Sequence, residues 1–410
     1  MRVGIIGAGF AGCASALALA RAGHAVSLLE AVQTPQPIGA GIMLQPSGMQ
    51  ALSALGLLEP VLAHGEPCER LRCVTRAGRL VFDLPYATLG AHLFGLGLHR
   101  GALFSALYGA LAPAQVDLRL GVTATSIEGD KVRDTAGALH GPFDLIVVAD
   151  GARSKLRNAL GHARRDDEYP WGALWTVVDD PSRTFRGQLF QVVEGAHAML
   201  GLLPTGTRPG NDTPQVSLFV SVRLDRVAAL RARGFAAFRD QTLAFAPICE
   251  PVFAQLDSFD GLLTASYRDV RLARLDFGRV VYVGDAGHAM SPQLGQGSNL
   301  ALLDALALAE VLRTHPDLDA ALPAYSRARR AQLRYYQWAN RMLTPFFQGD
   351  SRFLGALRDH LMPLAARLPV LRPLMVATMC GVRRGFFRRS LPLPARSLRL
   401  AERGAVRETL

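Results

Sequence analysis

Lysine is almost missing from this 410-residue chain. Lys131 and Lys155 are the only two among 45 basic residues, and the rest are arginine. Cysteine is sparse too: Cys13, Cys68, Cys73, Cys249 and Cys380 are odd in number and contain no CxxC pair. Neither a disulfide framework nor a thiol redox motif fits that count, so a reducing cytoplasm is the expected home. The apolar C-terminal stretch 357–389 is broken by Arg367, Arg372 and three prolines. It lacks the ~18 uncharged residues of a spanning helix. Internal repeats and low-complexity tracts are absent. The formal charge of +11 is not accompanied by any groove-reading motif, so no nucleic-acid partner is expected. The first residues, "MRVGIIGAGFAG", have the basic start and apolar run of a secretory leader. Their fixed glycine spacing and the strand that follows argue against one.

Half of the residues are hydrophobic and 19% are charged, a globular balance with material for two or three domains. "RVGII", a glycine-rich break, a small-residue helix and "AVSLLE" read as a βαβ unit with a parallel sheet. "PSGMQALSALGLL" reads as a helix from Pro46 with Ser47 as N-cap. "LRCVTRAGRLVFDLP" reads as a hairpin about Ala77-Gly78, and a helix follows His99. "FDLIVVAD" is a continuous apolar strand of the doubly buried kind. Between about 172 and 270 strand-like pieces predominate, separated by Gly/Pro-rich loops. The expected fold is α/β: a discontinuous dinucleotide-binding domain (1–70, 99–170, 271–345) with an inserted antiparallel-sheet domain (71–98, 171–270). C-terminal helices (346–385) and a basic tail (386–410) complete it.

Gly7, Gly9 and Gly12 form G-x-G-x-x-G between a strand and a helix, and Glu30 ends the next strand. Here Gly7 permits the tight turn, Gly9 lets phosphate approach and Gly12 lets helix and strand pack. The helix start offers unpaired N–H groups and partial positive charge to an anion. Glu30 is expected to accept from ribose hydroxyls, which favours FAD or NAD over NADP at this site. Far along the chain, "VVYVGDAGHAMSPQLGQGSNLALLDALALAEVL" repeats the pattern of strand, carboxylate, glycines and helix. Asp285 is placed to bind polyol hydroxyls. Pro292 to Asn299 approach a ligand through backbone, and a helix starting near Ser298 points its N-terminus at the bound ring. A reduced isoalloxazine carries negative charge that such a terminus stabilises.

These motifs resemble the FAD-dependent class A monooxygenases, similar to para-hydroxybenzoate hydroxylase, with ubiquinone-biosynthesis and kynurenine-type hydroxylases as relatives. "VVADGARSKLR" is similar to that family's D-G motif, with Asp150, Gly151, Ser154 and Arg157 in place. "GDAGHAMSPQLGQGSNLALLDA" is similar to its G-D motif, with Asp304 where the family has an aspartate. The resemblance implies FAD contacts from Gly7, Gly9, Ala11, Gly12, Glu30, Asp150 and Asp285. It places Pro292, Gly295, Gly297 and Asn299 at the flavin ring. More loosely it implies contacts from Arg100 and from the "IGAGIML" loop around Gly41. It also implies NADPH or NADH as co-substrate, oxygen activated on C4a of the flavin, and hydroxylation or epoxidation of an electron-rich carbon. Ala31 departs from the family's frequent Arg, as Gly287 does from Ala. No acid–base pair is required, because the cofactor carries the hard chemistry; His288 is read as supporting its loop.

A hydrophobic small-molecule substrate is expected from the apolar strands, with Trp171, Trp175, Phe190 and Phe219 as candidate walls. Each suits plain core as well. A second G-x-G-x-x-G is lacking, so NAD(P)H is expected to bind transiently. A halogenase would carry a W-x-W-x-I-P run, and "WGALW" has the wrong spacing. A prenyl reductase and a non-catalytic flavin sensor on the same scaffold stay open as alternatives. Residues 367–410 hold ten Arg and two Glu, a net +8 that leaves +3 for the first 366. That stretch suits peripheral contact with an anionic membrane surface, or a terminal core helix followed by a solvated tail.

Overall fold

A computed structural model describes residues 1–37, 39–315 and 317–385. The apolar run Arg2–Ile6 becomes the inner strand of a six-stranded sheet. Across that sheet the order is 276–277, 280–282, 145–148, 2–6, 25–30 and 117–120. All neighbours are parallel except the edge pair 276–277 with 280–282. From Arg2–Ile6 the chain first builds outward through 25–30 and 117–120, and later adds 145–148 and 280–282 on the opposite flank. The topological switch therefore falls between Arg2–Ile6 and Leu145–Val148, where a crevice opens beyond the strand ends. Gly7 and Asp150 stand at that crevice. The helix Phe10–Arg21 buries Ala11 to Leu19 against this sheet, an approach its alanines, glycine and serine make possible.

A second sheet of nine strands lies beside the first, in the order 263–272, 163–179, 211–223, 198–208, 187–194, 66–75, 95–99 and 41–44, with 80–85 paired to 66–75. It is mixed rather than purely antiparallel, since 187–194 runs parallel to 66–75. It also draws on chain outside the expected segments, beginning at Glu66 and Ala163 and taking in Gly41–Leu44. Side-chain alternation gives it two faces. Leu174, Leu200, Leu202, Val216 and Leu218 pack against Phe238, Val252 and Phe253 of the helices that follow. The opposite face looks toward the first domain and the C-terminal helices. A small sheet of 124–128, 131–134 and 139–140, not expected from the sequence, caps one end.

The C-terminal helices are Gly297–Thr314, Leu318–Phe347, Arg352–Arg367 and Leu371–Met379, the last ending short of the expected 385. The final two meet at 101°, and among the described residues no single helix is long and apolar enough to cross a membrane. Phe353, Leu361, Leu364, Leu368 and Val370 of this bent pair are exposed. The expected basic tail lies outside the described residues. None of the five cysteines forms a disulfide, and all are buried. Burial pushes the thiols of Cys13, Cys68, Cys73 and Cys249 up to about 12, which removes them from thiolate chemistry.

One carboxylate joins the long helix to the crevice. Asp304 is fully buried; its Oδ2 accepts from the Gly284 amide (2.8 Å) and pairs with His288 Nε2 (2.6 Å). Its Oδ1 accepts from Arg329 Nε (2.6 Å). Burial alone would raise its pKa, but His288 and Arg329 hold it below the ordinary carboxylate value. The stabilisation is therefore complete above the ordinary carboxylate range and is lost as pH falls through the depressed folded value. Asp304→Ala leaves Arg329 buried without its counter-charge and is expected to cost ~3–5 kcal/mol. Chemical denaturation at neutral pH checks the loss. The difference between variant and wild type is expected to shrink as the pH is lowered below the carboxylate range.

Candidate flavin site

Both glycine turns end at a helix whose first turn no side chain caps. Gly9 precedes Phe10–Arg21 and Gln296 precedes Gly297–Thr314, and neither makes a side-chain capping bond. Their leading N–H groups are left for solvent or an anion. The two helices start side by side because Gly284, at φ +60°, sits between them. A Cβ there would lie 2.7 Å from that of Ala11 and 3.4 Å from that of Ala301. The two motifs, far apart in sequence, meet at this point.

The remaining glycines divide by task. A Cβ on Gly12 would fall 1.8 Å from the Gly7 carbonyl oxygen, so Gly12 serves helix-to-strand packing. Gly7, at φ +99°, closes the turn against Ala149. Gly9 and Gly151 face open space: nothing stands within 4 Å of a Cβ on either. Gly297 has only Asp285 Oδ1 nearby, at 3.8 Å. These last positions leave backbone accessible where a ligand would lie, and they flank two carboxylates. Asp285 is exposed at the crevice. Asp150 is half-buried, with an Oδ1 that has no hydrogen-bond partner. Burial raises its pKa, partly offset by Ser154. A ligand bearing hydroxyl donors would satisfy both. An extended dinucleotide has that chemistry: phosphates for helix N-termini and polyol hydroxyls for carboxylates.

Glu30 stands at the end of Ala25–Glu30, its Oε2 accepting from the Ala8 amide (2.6 Å) and its Oε1 from Val32 (2.9 Å). These bonds orient the carboxylate across the glycine turn and leave each oxygen a free lone pair. Arg100 opens the helix Arg100–Gly109, exposed, with its guanidinium 5.1 Å from the centre of the Phe10 ring. It thus reaches the start of the first glycine-turn helix.

Other expected residues have structural partners of their own. Asn299, expected at the flavin ring, is fully buried. Its Oδ1 accepts from Gln45 N (2.8 Å) and its Nδ2 donates to the carbonyls of Gly295 (2.8 Å) and Met43 (3.3 Å). It clamps the 43–45 segment to the second glycine turn, positioning backbone rather than presenting an amide. Gly41 begins a strand and not a loop, its amide bonded to Ser217 Oγ (3.2 Å). Gln45, not Ser47, precedes the helix Pro46–Ala54, and Ser47 is buried. Arg157 is wholly buried, donating to the carbonyls of Ala286 and Ala152 and to Asp166; it ties the D-G segment to the G-D loop. Phe190 packs with the outer helices of the second sheet, and Trp171 is buried. His288 is buried on Asp304, as its reading as a loop support requires. Sequence reading missed Gln293 and Gln348, which link the second glycine turn to the sheet. Gln293 Nε2 donates to Gln348 Oε1 (2.9 Å), and Gln348 Nε2 to Ser221 Oγ (2.7 Å). Nothing in their spacing marks this chain, because it joins three elements by tertiary packing alone.

A family model described as an FAD binding domain matches residues 1–334. The chain belongs to that family, and within it to the class A FAD-dependent aromatic monooxygenases. Among its relatives is kynurenine 3-monooxygenase of Salinispora arenicola, 32% identical over 80% of this chain and 76% of that protein. The 2-heptyl-3-hydroxy-4(1H)-quinolone synthase of Pseudomonas aeruginosa is 28% identical over 89% of this chain and 94% of that protein. The same fold occurs in Klebsiella pneumoniae HpxO complexed with FAD and uric acid, at TM-score 0.76 and 23% identity, covering 93% of this chain and 97% of that one.

Two substitutions separate ligand contact from folding. Asp285→Ala and Gly9→Leu both alter groups that face open crevice, so each is expected to fold with a melting temperature close to wild type for the apoprotein. Each is expected to purify with little FAD, read from the absorbance ratio of flavin to protein.

Proposed function

We propose that FAD is held by Gly7, Gly9, Ala11, Gly12, Glu30, Arg100, Asp150 and Asp285, and that NADPH or NADH is the electron donor for hydroxylating an aromatic small molecule. The observation that carries this reading is the meeting of two uncapped helix N-termini at Gly284, flanked by exposed Asp285 and by Asp150 with its unsatisfied Oδ1. The bound flavin supplies the redox chemistry and the activation of O2. What the chain contributes is binding, orientation and exclusion of water. Glu30 and Asp285 anchor hydroxyls at the two ends. The N-terminus of Phe10–Arg21 would hold the pyrophosphate, and that of Gly297–Thr314 would face the ring, where negative charge develops on reduction. Each terminus stabilises an anion by ~0.3–1 kcal/mol, more when partly buried. Asp304 fixes the Gly284 amide, Asn299 clamps 43–45 to the second turn, and the second sheet would roof the ring and bound the substrate space.

Adding a substrate aromatic to the purified flavoprotein is expected to raise NAD(P)H oxidation well above its basal rate, with one oxygen atom gained per product molecule by mass spectrometry. A product that gains two hydrogens instead would assign the chain to reduction. No O2-coupled NAD(P)H consumption with any aromatic would contradict the reading.

We further infer that the bent helix pair rests on an anionic membrane surface. Phe353 and Val370 are 71% and 79% exposed, on the same pair as Leu361, Leu364 and Leu368. The stretch 367–410 adds the net +8 that an anionic leaflet attracts. Co-sedimentation with phosphatidylglycerol vesicles is expected for the full chain, falling several-fold in a Phe353→Asp, Leu364→Asp, Val370→Asp variant. Equal sedimentation of the two, or dimerisation through this face without vesicle binding, would contradict it.

A further inference from the structure

We propose that the substrate chamber admits an uncharged aromatic molecule and recognises it through the Gln191 amide together with the Phe219 and Trp175 rings. The proposal rests on the monooxygenase reading and adds the charge and contacts of the substrate. It follows from the register of the second sheet, in which directly opposed residues share a face. One cross-strand row runs Cys73, Gln191, Gly201, Phe219, Trp175. Flanking it on one side are Leu71 with Leu189 and Leu203 with Ser217 and Val177, and on the other Thr75 with Val193 and Met199 and Ser221 with Ala173. Among the described residues, no position in these rows carries a charged side chain. Arg70 and Arg72 alternate to the other face.

The face that carries these rows is the one turned toward the glycine turns. Ser217 accepts from Gly41 N, Leu203 packs with Met43, and Ser221 ends the chain from Gln293 through Gln348. The ion pairs around it are closed. Arg358 donates to the Phe346 carbonyl and to Asp359, Arg183 and Arg186 both meet Glu66, and Arg223 meets Asp225 and Asp350. A carboxylate entering beside the central row would lose hydration and meet no cation within these rows, a penalty that a neutral ring avoids.

The central row has features of a recognition surface. A Cβ on Gly201 would lie 2.1 Å from the Phe219 ring, so that ring lies over the glycine, between Gln191 and Trp175. Gln191, Phe219 and Trp175 are each only partly buried, in contrast to their covered neighbours Cys73 and Met199. Among the described residues the Gln191 amide has no hydrogen-bond partner, so its carbonyl and NH2 remain for a ligand's hydroxyl, ring nitrogen or ketone. Two rings and one neutral amide match a flat aromatic with a single polar handle.

The test uses the full-length holoprotein and matched ligands: phenol against 4-hydroxybenzoate, and 4-hydroxyquinoline against its 2-carboxylate. Dissociation constants are read from perturbation of the flavin absorbance, without turnover. The uncharged member of each pair is expected to bind about tenfold tighter or more. Gln191→Leu is expected to weaken that binding several-fold at unchanged FAD content, and Gln191→Arg to narrow or reverse the preference. A carboxylate that binds wild type as tightly as its uncharged partner overturns the proposal, as does a flavin spectrum that no member of either pair perturbs. If FAD is retained and no aromatic drives NAD(P)H oxidation, the monooxygenase reading fails on its own, while the binding order still judges this inference.

Discussion

The bond network of Asp304 is the constraint on which the crevice depends. A single buried carboxylate fixes the amide of Gly284, the ring of His288 and the guanidinium of Arg329. Gly284 in turn spaces the two glycine-turn helices through Ala11 and Ala301. The loop that carries Asp285 is therefore held from below by Gly297–Thr314 through Asp304 and by Leu318–Phe347 through Arg329. An ion pair so deeply buried contributes little net stability against an apolar replacement. Its value here is positional: no hydrophobic contact would set the direction of the Gly284 amide.

With that joint in place, electrostatics and sterics act together. Two helix N-termini would repel one another's fields if nothing anionic lay between them. Asp150 and Asp285 beside them are carboxylates that await donors rather than cations. A ligand alternating phosphate and hydroxyl groups relieves both conditions at once, and that is the chemistry of a flavin dinucleotide. The glycines follow the same division. Gly7 and Gly12 serve the backbone packing that makes the turn, and Gly9, Gly151 and Gly297 keep the crevice clear. The second sheet then closes the far side with a face of alternating apolar and neutral polar residues.

Much of this was legible in the sequence because it is local. The strands Arg2–Ile6 and Ala25–Glu30, the glycine turn between them and the Asp285 turn rest on short-range pattern and backbone permissiveness. The family resemblance carried by three motifs agrees with the match over residues 1–334. What was illegible is tertiary. The side-chain partners of Asn299 on the 43–45 segment, Gln45 and Met43, are joined to it only by the fold. Arg157 looked like a motif charge and is a buried tie to Ala286. Gly41 seemed a loop residue because its strand is completed only by Gly95–His99 and abuts Ser217 across the fold. The parallel pairing of 187–194 with 66–75 joins segments over a hundred residues apart, and no periodicity reports such a partner.

Hydrogen–deuterium exchange of the apoprotein with and without FAD tests the central claim most directly. The account predicts simultaneous slowing at the amides of residues 8–13 and 285–299, with the outer helices of the second sheet unchanged. Protection of only one of these segments, or of neither, would contradict a flavin gripped between two converging helix ends.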